Sequence, residues 1–155
     1  ALADFQTIGA RLGAANTRKA LGDLALRQAD LAGAGEAYRA ALADFQTIGD
    51  RLGAANTRRS LGDLALRQDD LAGAGEHYRA ALADYEAIGD RMGQANTIDS
   101  MGELAEAQEQ WGTAREHYAT ALQIYRAIGD SYANVTARNL ARVEARISGV
   151  QDSVG

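Results

Sequence analysis

Residues 41–80 read ALADFQTIGDRLGAANTRRSLGDLALRQDDLAGAGEHYRA, and residues 1–40 repeat those letters at thirty-five of forty positions. The differences fall at 10/50, 19/59, 20/60, 29/69 and 37/77. Residues 81–120 carry the same pattern more loosely, and residues 121–147 begin a fourth copy that decays. A fixed period of this length marks an array in which each unit buries its apolar face on its neighbours.

The unit divides into two helices. In the second copy Gly49 is a stop, and Asp50 is a side-chain cap for helix A, over about 51–68. Leu52, Ala55, Leu61, Leu64 and Ala65 lie broadly on one side of it. Asp69-Asp70 breaks the pattern, and Asp70 is placed to cap helix B, over about 71–88. Leu71, Ala74, Tyr78, Ala81, Leu82, Tyr85 and Ile88 step by three and four along helix B, the spacing of one helix face. Links this short set neighbouring helices antiparallel.

Residues 1–8 match 41–48 letter for letter and read as a helix tail ended by Gly9, with an apolar edge of Leu2, Phe5 and Ile8. Repeats then occupy about 10–48, 50–88 and 90–128. A capping helix follows over about 130–147, with an apolar stripe of Leu140, Val143 and Ile147 and an arginine face of Arg138, Arg142 and Arg146. Residues 148–155 read as a frayed tail. The start, without Met and inside a repeat, reads as an excerpt of a longer chain.

Gly22, Gly62 and Gly102 recur at one phase in mid-helix, at a cost of about 1 kcal/mol each relative to alanine. A close helix–helix approach explains that recurrence. Gly73 and Gly75, in AGAGE, have no such reason in the letters and predict a soft start to helix B. Without a preceding strand or a complete GxGxxG pattern, AGAGE is a poor phosphate cradle. Met101 and Trp111 replace Leu61 and Leu71 at core phases, which points to packing.

Composition narrows the function classes. Hydrophobic residues make up 46% and charged residues 24%, as in a folded chain that is not disordered. Proline is absent, which suits unbroken helix. Cysteine is absent too, which excludes disulfides and thiolate metal sites and fits a reducing, cytoplasmic setting. The net charge of −5 is concentrated in residues 81–120, with two basic and eight acidic side chains, a balance that argues against nucleic acid as a partner. No run approaches the roughly 20 apolar residues a membrane helix needs. His77 and His117, each one residue before a tyrosine of helix B, are expected at the surface. With no third ligand and no serine or cysteine partner, they support neither a metal site nor a triad. The chain is therefore read as non-enzymatic, without cofactor or metal.

The letters resemble the tetratricopeptide repeat. Leu61-Gly62 and Ala65 of helix A, then Ala74, Tyr78 and Ala81 of helix B, carry the likeness. Leu21, Gly22, Ala25, Ala34, Tyr38 and Ala41 repeat it, as do Met101, Gly102, Ala105, Ala114, Tyr118 and Ala121. The forty-residue period departs from the usual 34. With its IGD…G…LG framework, it is similar to the longer-helix variant of kinesin light chains, Pins-type polarity adaptors and bacterial signalling ATPases. Arg18, Arg58 and Ile98 stand where the family has a tryptophan, and its closing proline is missing.

The resemblance covers roughly residues 1–147 and implies an all-α fold, a right-handed superhelix of antiparallel helix pairs, with helix A lining its concave side. It also implies a protein or peptide ligand on that side. Carried over, the lining residues are Asn16, Lys19, Asp23 and Arg27, then Asn56, Arg59, Asp63 and Arg67, then Asn96, Asp99, Glu103 and Glu106. Asparagines one repeat apart suit a peptide backbone, because the amide both donates and accepts. The family's lysine clamp for carboxylates is not reproduced, since the third copy is acidic where cations would stand. The alternative is a structural repeat that self-associates through its open ends, of engineered or recently duplicated origin.

Overall fold

The computed structural model describes residues 2–152, with side chains described for 4–149. Seven helices account for it: α1 (Leu2–Arg27), α2 (Leu31–Ile48), α3 (Arg51–Arg67), α4 (Leu71–Ile88), α5 (Arg91–Ala107), α6 (Trp111–Ile128) and α7 (Ala133–Asp152). The chain divides into two compact units at Ile88 and Gly89. In the first, α1 packs on α2, α2 on α3 and α3 on α4. In the second, α5 packs on α6 and α6 on α7. The fold is all-α, of the helical-repeat solenoid class.

Each B-to-A link is a glycine followed by an aspartate. Gly49 takes φ 81°, a left-handed conformation open to glycine at little cost. Its N–H donates to the Gln46 carbonyl, and the Asp50 N–H donates to that of Phe45. The Asp50 carboxylate then accepts from the Gly53 N–H at 2.9 Å. Each A-to-B link bends instead at a residue with a side chain: Ala29, Asp69 and Glu109 hold φ of 61°, 62° and 58°. For an L-residue that conformation costs roughly 1–2 kcal/mol. Asp30 and Asp70 cap α2 and α4 through the N–H groups of Gly33 and Gly73, each at 2.9 Å.

The expected break at Gly9 does not occur, so residues 2–8 are not a separate helix tail. α1 runs straight through, and Gly9 is not among the left-handed glycines. The reason is the neighbouring substitution. Ala10 stands where Asp50, Asp90 and Asp130 stand in the later copies, so the carboxylate that would start a new helix is missing. Phe5 and Ile8 are exposed as a consequence; the side chain of Leu2 lies outside the described residues. The tail expectation also changes. Ser148 to Asp152 continue α7, because Gly149 adopts no left-handed stop, and residues 153–155 lie outside the described residues. At the other end of α7, residues 130–132 form a turn, with the Tyr132 N–H donating to Asp130, and the helix starts at Ala133.

The core is built from alanine and aromatic rings. Ala15, Ala41, Phe45 and Ala54 form one cluster in the first unit, and Ala34, Tyr38, Leu61 and Leu64 another. Ala105, Ala114, Tyr118 and Val143 form a cluster in the second, with Trp111, Leu140 and Ile147 against it. Of the expected helix-A stripe, Leu52 is exposed and the other four are buried. Leu61 and Leu64 are 4% and 3% exposed beneath α2, whereas their equivalents Leu21 and Leu24 on α1 are 55% and 43% exposed. The letters are the same; of these two helices, only α3 has a B helix before it among the described residues, and it packs on that helix, α2.

AGAGE is not soft. The cap carboxylates of Asp30 and Asp70 lean over Gly33 and Gly73, where a Cβ would collide with them, and Gly35 lies 3.2 Å from Leu64 by its missing Cβ. The glycines make room for the caps and for α3.

Candidate functional site

In the first unit the polar row of α1 begins with exposed Asn16. The Lys19 ammonium bonds Asp23 at 3.0 Å one turn on and stands 6.0 Å from the centre of the Tyr38 ring. Asp23 also accepts the Tyr38 O–H at 2.7 Å. Burial, with the Asp23 carboxylate beside it, pushes that phenol well above its ordinary range. Arg27 closes the row, exposed.

α3 repeats the arrangement. Asn56 accepts from the Tyr85 O–H at 2.6 Å and Asp63 from the Tyr78 O–H at 2.8 Å. Arg59 lies 3.9 Å from Asp63, with its Nε buried and without a hydrogen-bond partner. Burial opposes the Arg59 charge, but Asp63 and the phenols of Tyr85 and Tyr78 outweigh it, so its pKa is raised. Arg67 is exposed, one repeat on from Arg27.

The row on α5 in the second unit differs. Asn96 keeps its phenol, accepting from Tyr125 at 2.7 Å. Asp99, where the earlier copies have Lys19 and Arg59, is only 4% exposed and accepts the Thr136 O–H of α7 at 2.6 Å. It therefore faces α7 and is not open to a ligand. Glu106 accepts from Tyr118 at 2.6 Å and is held by the Arg142 guanidinium of α7. Glu103 is exposed. Burial would raise the Glu106 pKa, but the bonds from Arg142 and Tyr118 outweigh it, so its carboxyl lies below the ordinary range.

Asp99 is shifted the other way, upward, by burial, against the Thr136 bond. A raised carboxyl pKa means that ionisation costs folding stability above it, and that the cost vanishes as pH falls through it. Asp99→Asn keeps an acceptor for Thr136 and removes the buried charge. Its melting midpoint is expected to exceed the wild-type value at neutral pH, with the gap closing toward the ordinary carboxylate range. Thermal melts of both proteins across that range check this; a gap independent of pH would refute it. Glu106 acts oppositely: its stabilisation is present at neutral pH and is lost as pH falls through its lowered pKa.

The letters did not reveal that buried tyrosines of the B helices reach through to hold these rows, nor that α7 supplies Thr136 and Arg142. The fixed fifteen-residue separation of Asp23 from Tyr38, and of Asp63 from Tyr78, was the available signal. His77 and His117 are half-buried, not at the surface as expected, and burial lowers both pKa values. Among the described residues no three His, Cys, Asp or Glu side chains are grouped to hold a metal ion, and no helix is long and apolar enough to cross a membrane. A cleft of about 690 Å³ lies away from the polar rows, lined by Gln6, Thr7, Ala10, Arg11, Ala14, Arg18 and Asp44.

No protein-family model and no curated protein sequence matches the chain. Solved structures do resemble it. The apo form of RapI superposes with a TM-score of 0.83 at 14% identity, over 93% of this chain and 40% of that one. Aspartyl phosphate phosphatase F from Bacillus subtilis gives 0.86 at 11% identity, over 92% and 38%. BtubC (BKLC) from P. vanneervenii gives 0.66 at 18% identity, over 87% and 65%. The chain thus spans about two-fifths of the length of the first two. At these identities the likeness concerns the fold, and the seven-helix array fits a tetratricopeptide-type repeat.

Proposed function

We propose that the chain is a non-catalytic, cytoplasmic module that binds a peptide or protein segment along the polar rows of its A helices. Within its class it corresponds to the long-helix variant of kinesin light chains and Pins-type adaptors. One observation carries this reading. Asn16/Asn56, Asp23/Asp63 and Arg27/Arg67 recur at identical positions of α1 and α3, and buried phenols hold three of these six groups in place: Asp23, Asn56 and Asp63. A row whose side chains are already fixed loses little entropy on binding, which is the use of preorganisation. Bound there, a peptide meets the amides through its backbone and the arginines through acidic side chains. Nucleic acid, membrane and cofactor form no part of this reading. The phosphatase named in one structural neighbour is a property of that protein, matched at 11% identity over 38% of its length, and forms no part of this reading.

Arg27→Glu combined with Arg67→Glu changes two exposed ends of the rows and spares the phenol bonds. Peptides selected on an array against the wild-type chain are expected to bind the double variant at least about tenfold more weakly, which corresponds to about 1.4 kcal/mol. Its circular dichroism and melting midpoint should stay unchanged. Equal affinity for both proteins, with fold intact, would move the ligand off these rows.

A further inference from the structure

One ring of the B helices changes chemistry between repeats. Phe45 of α2 stands where α4 has Tyr85 and α6 has Tyr125, and only the tyrosines carry a hydroxyl. Each tyrosine lies 29 residues after the asparagine of its row and donates to that side chain's Oδ1, Tyr85 to Asn56 at 2.6 Å and Tyr125 to Asn96 at 2.7 Å. A carboxamide carries its oxygen and its N–H groups on opposite sides. With the oxygen turned to a buried phenol, the two N–H donors are what the side chain presents. Asn16 has Phe45 at the matching position, so no such hydroxyl fixes it. The cation one turn on differs in step. Lys19 bonds both oxygens of Asp23, at 3.0 Å and 3.3 Å. Arg59 stands 3.9 Å from Asp63, beyond hydrogen-bond reach, while Asp63 accepts from Tyr78. The Tyr85 phenol is among the groups that stabilise the Arg59 charge. Asn56 and Arg59 are thus half-buried neighbours at i and i+3 on α3, both beside one hydroxyl.

We propose that Asn56 and Arg59 form a subsite for the carboxylate of an aspartate or glutamate side chain, with the Tyr85 hydroxyl setting the donors. The proposal rests on the reading above and names the chemistry that the α3 row selects. At this spacing the two Cβ atoms are about 5–6 Å apart, a span that the two oxygens of one carboxylate bridge. The guanidinium makes such bonds charge-assisted and presents a planar fork that a lysine lacks. A cationic ligand finds no acceptor on this pair, since Arg59 has none and Asn56 has turned its own away. A neutral carbonyl would leave the guanidinium charge unmatched. The other rows lack the pair, because Lys19 is bound to Asp23 and Asp99 replaces the cation on α5. Asp63 opposes a second carboxylate nearby, so a lone acidic side chain is expected to bind weakly.

The Arg59 Nε–H supplies a reporter, because it is shut away from solvent and should exchange slowly. Nuclear magnetic resonance titration of the isotope-labelled full chain uses the capped tripeptide acetyl-Gly-Glu-Gly-amide at constant salt. The Asn56 side-chain amide and the Arg59 Nε–H are expected to shift saturably. The glutamine counterpart should shift neither. Tyr85→Phe and Arg59→Lys give the second repeat what the first already carries, Phe45 and Lys19, so both should stay folded. Each should weaken binding of the glutamate tripeptide by about fivefold or more. Unmoved signals at Asn56 and Arg59, an equal response to the glutamine tripeptide, or unchanged affinity in either variant would overturn the proposal. Array-selected peptides separate it from the row reading. Peptides that weaken on the Arg27→Glu, Arg67→Glu chain but ignore Tyr85→Phe and Arg59→Lys would keep the rows and sink the subsite.

Discussion

Tyr78→Ala is expected to destabilise the first unit by about 3–5 kcal/mol, the usual range for removing a large buried ring. Tyr78 is 0% exposed. Its ring fills the space between α3 and α4 against Gly62, and its O–H ends on Asp63 at 2.8 Å. Alanine would leave a cavity walled by backbone that cannot collapse without moving a helix. It would also strip Asp63 of a bond. Tyr78→Phe separates the contributions: it keeps the ring and loses only the bond to a charged group, for about 1.5–3 kcal/mol. Natural domains hold only about 5–15 kcal/mol in all, so alanine should shift the denaturation midpoint by a large part of the transition. A midpoint within error of wild type would show that the ring does not join the two helices.

The second large effect lies on the other side of the same contact. A Cβ at Gly62 would stand 2.5 Å and 2.6 Å from two ring carbons of Tyr78. The ring has nowhere to move, since it is enclosed and tethered through its hydroxyl. Gly62→Val should therefore lose at least the roughly 1–3 kcal/mol of an overpacked core, and more for its branched side chain. Gly62→Ala is subtler, because alanine recovers about 1 kcal/mol of helix propensity. In wild type the clash should outweigh that gain. In the Tyr78→Ala background the clash is gone and the same substitution should stabilise. Denaturation of the four proteins of this cycle tests the reversal of sign. Additivity across it would remove the steric account. The same geometry recurs at Gly22 with Tyr38, at 2.6 Å, and at Gly102 with Tyr118, at 2.7 Å.

Much of this architecture was legible in the letters. The forty-residue period, the apolar spacing of α4, the Gly49–Asp50 stop and start and the recurrent Gly62 are all local or periodic signals, and local backbone chemistry reads the same in any context. That determined an all-α array of helix pairs and the close approach at Gly62. Tertiary structure alone decided what identical letters do in different surroundings. Phe5 and Phe45, or Leu21 and Leu61, differ only in what lies beside them, and burial is a property of neighbours. Gly9 shows how one neighbour changes a strong signal: without a carboxylate at position 10, the helix has no reason to stop. The polar rows were legible as rows, but not their partners. Tyr38, Tyr78, Tyr85 and Thr136 reach their acceptors across helix pairs, and Asp99 is buried because α7 closes over it, contacts that no spacing within one helix encodes.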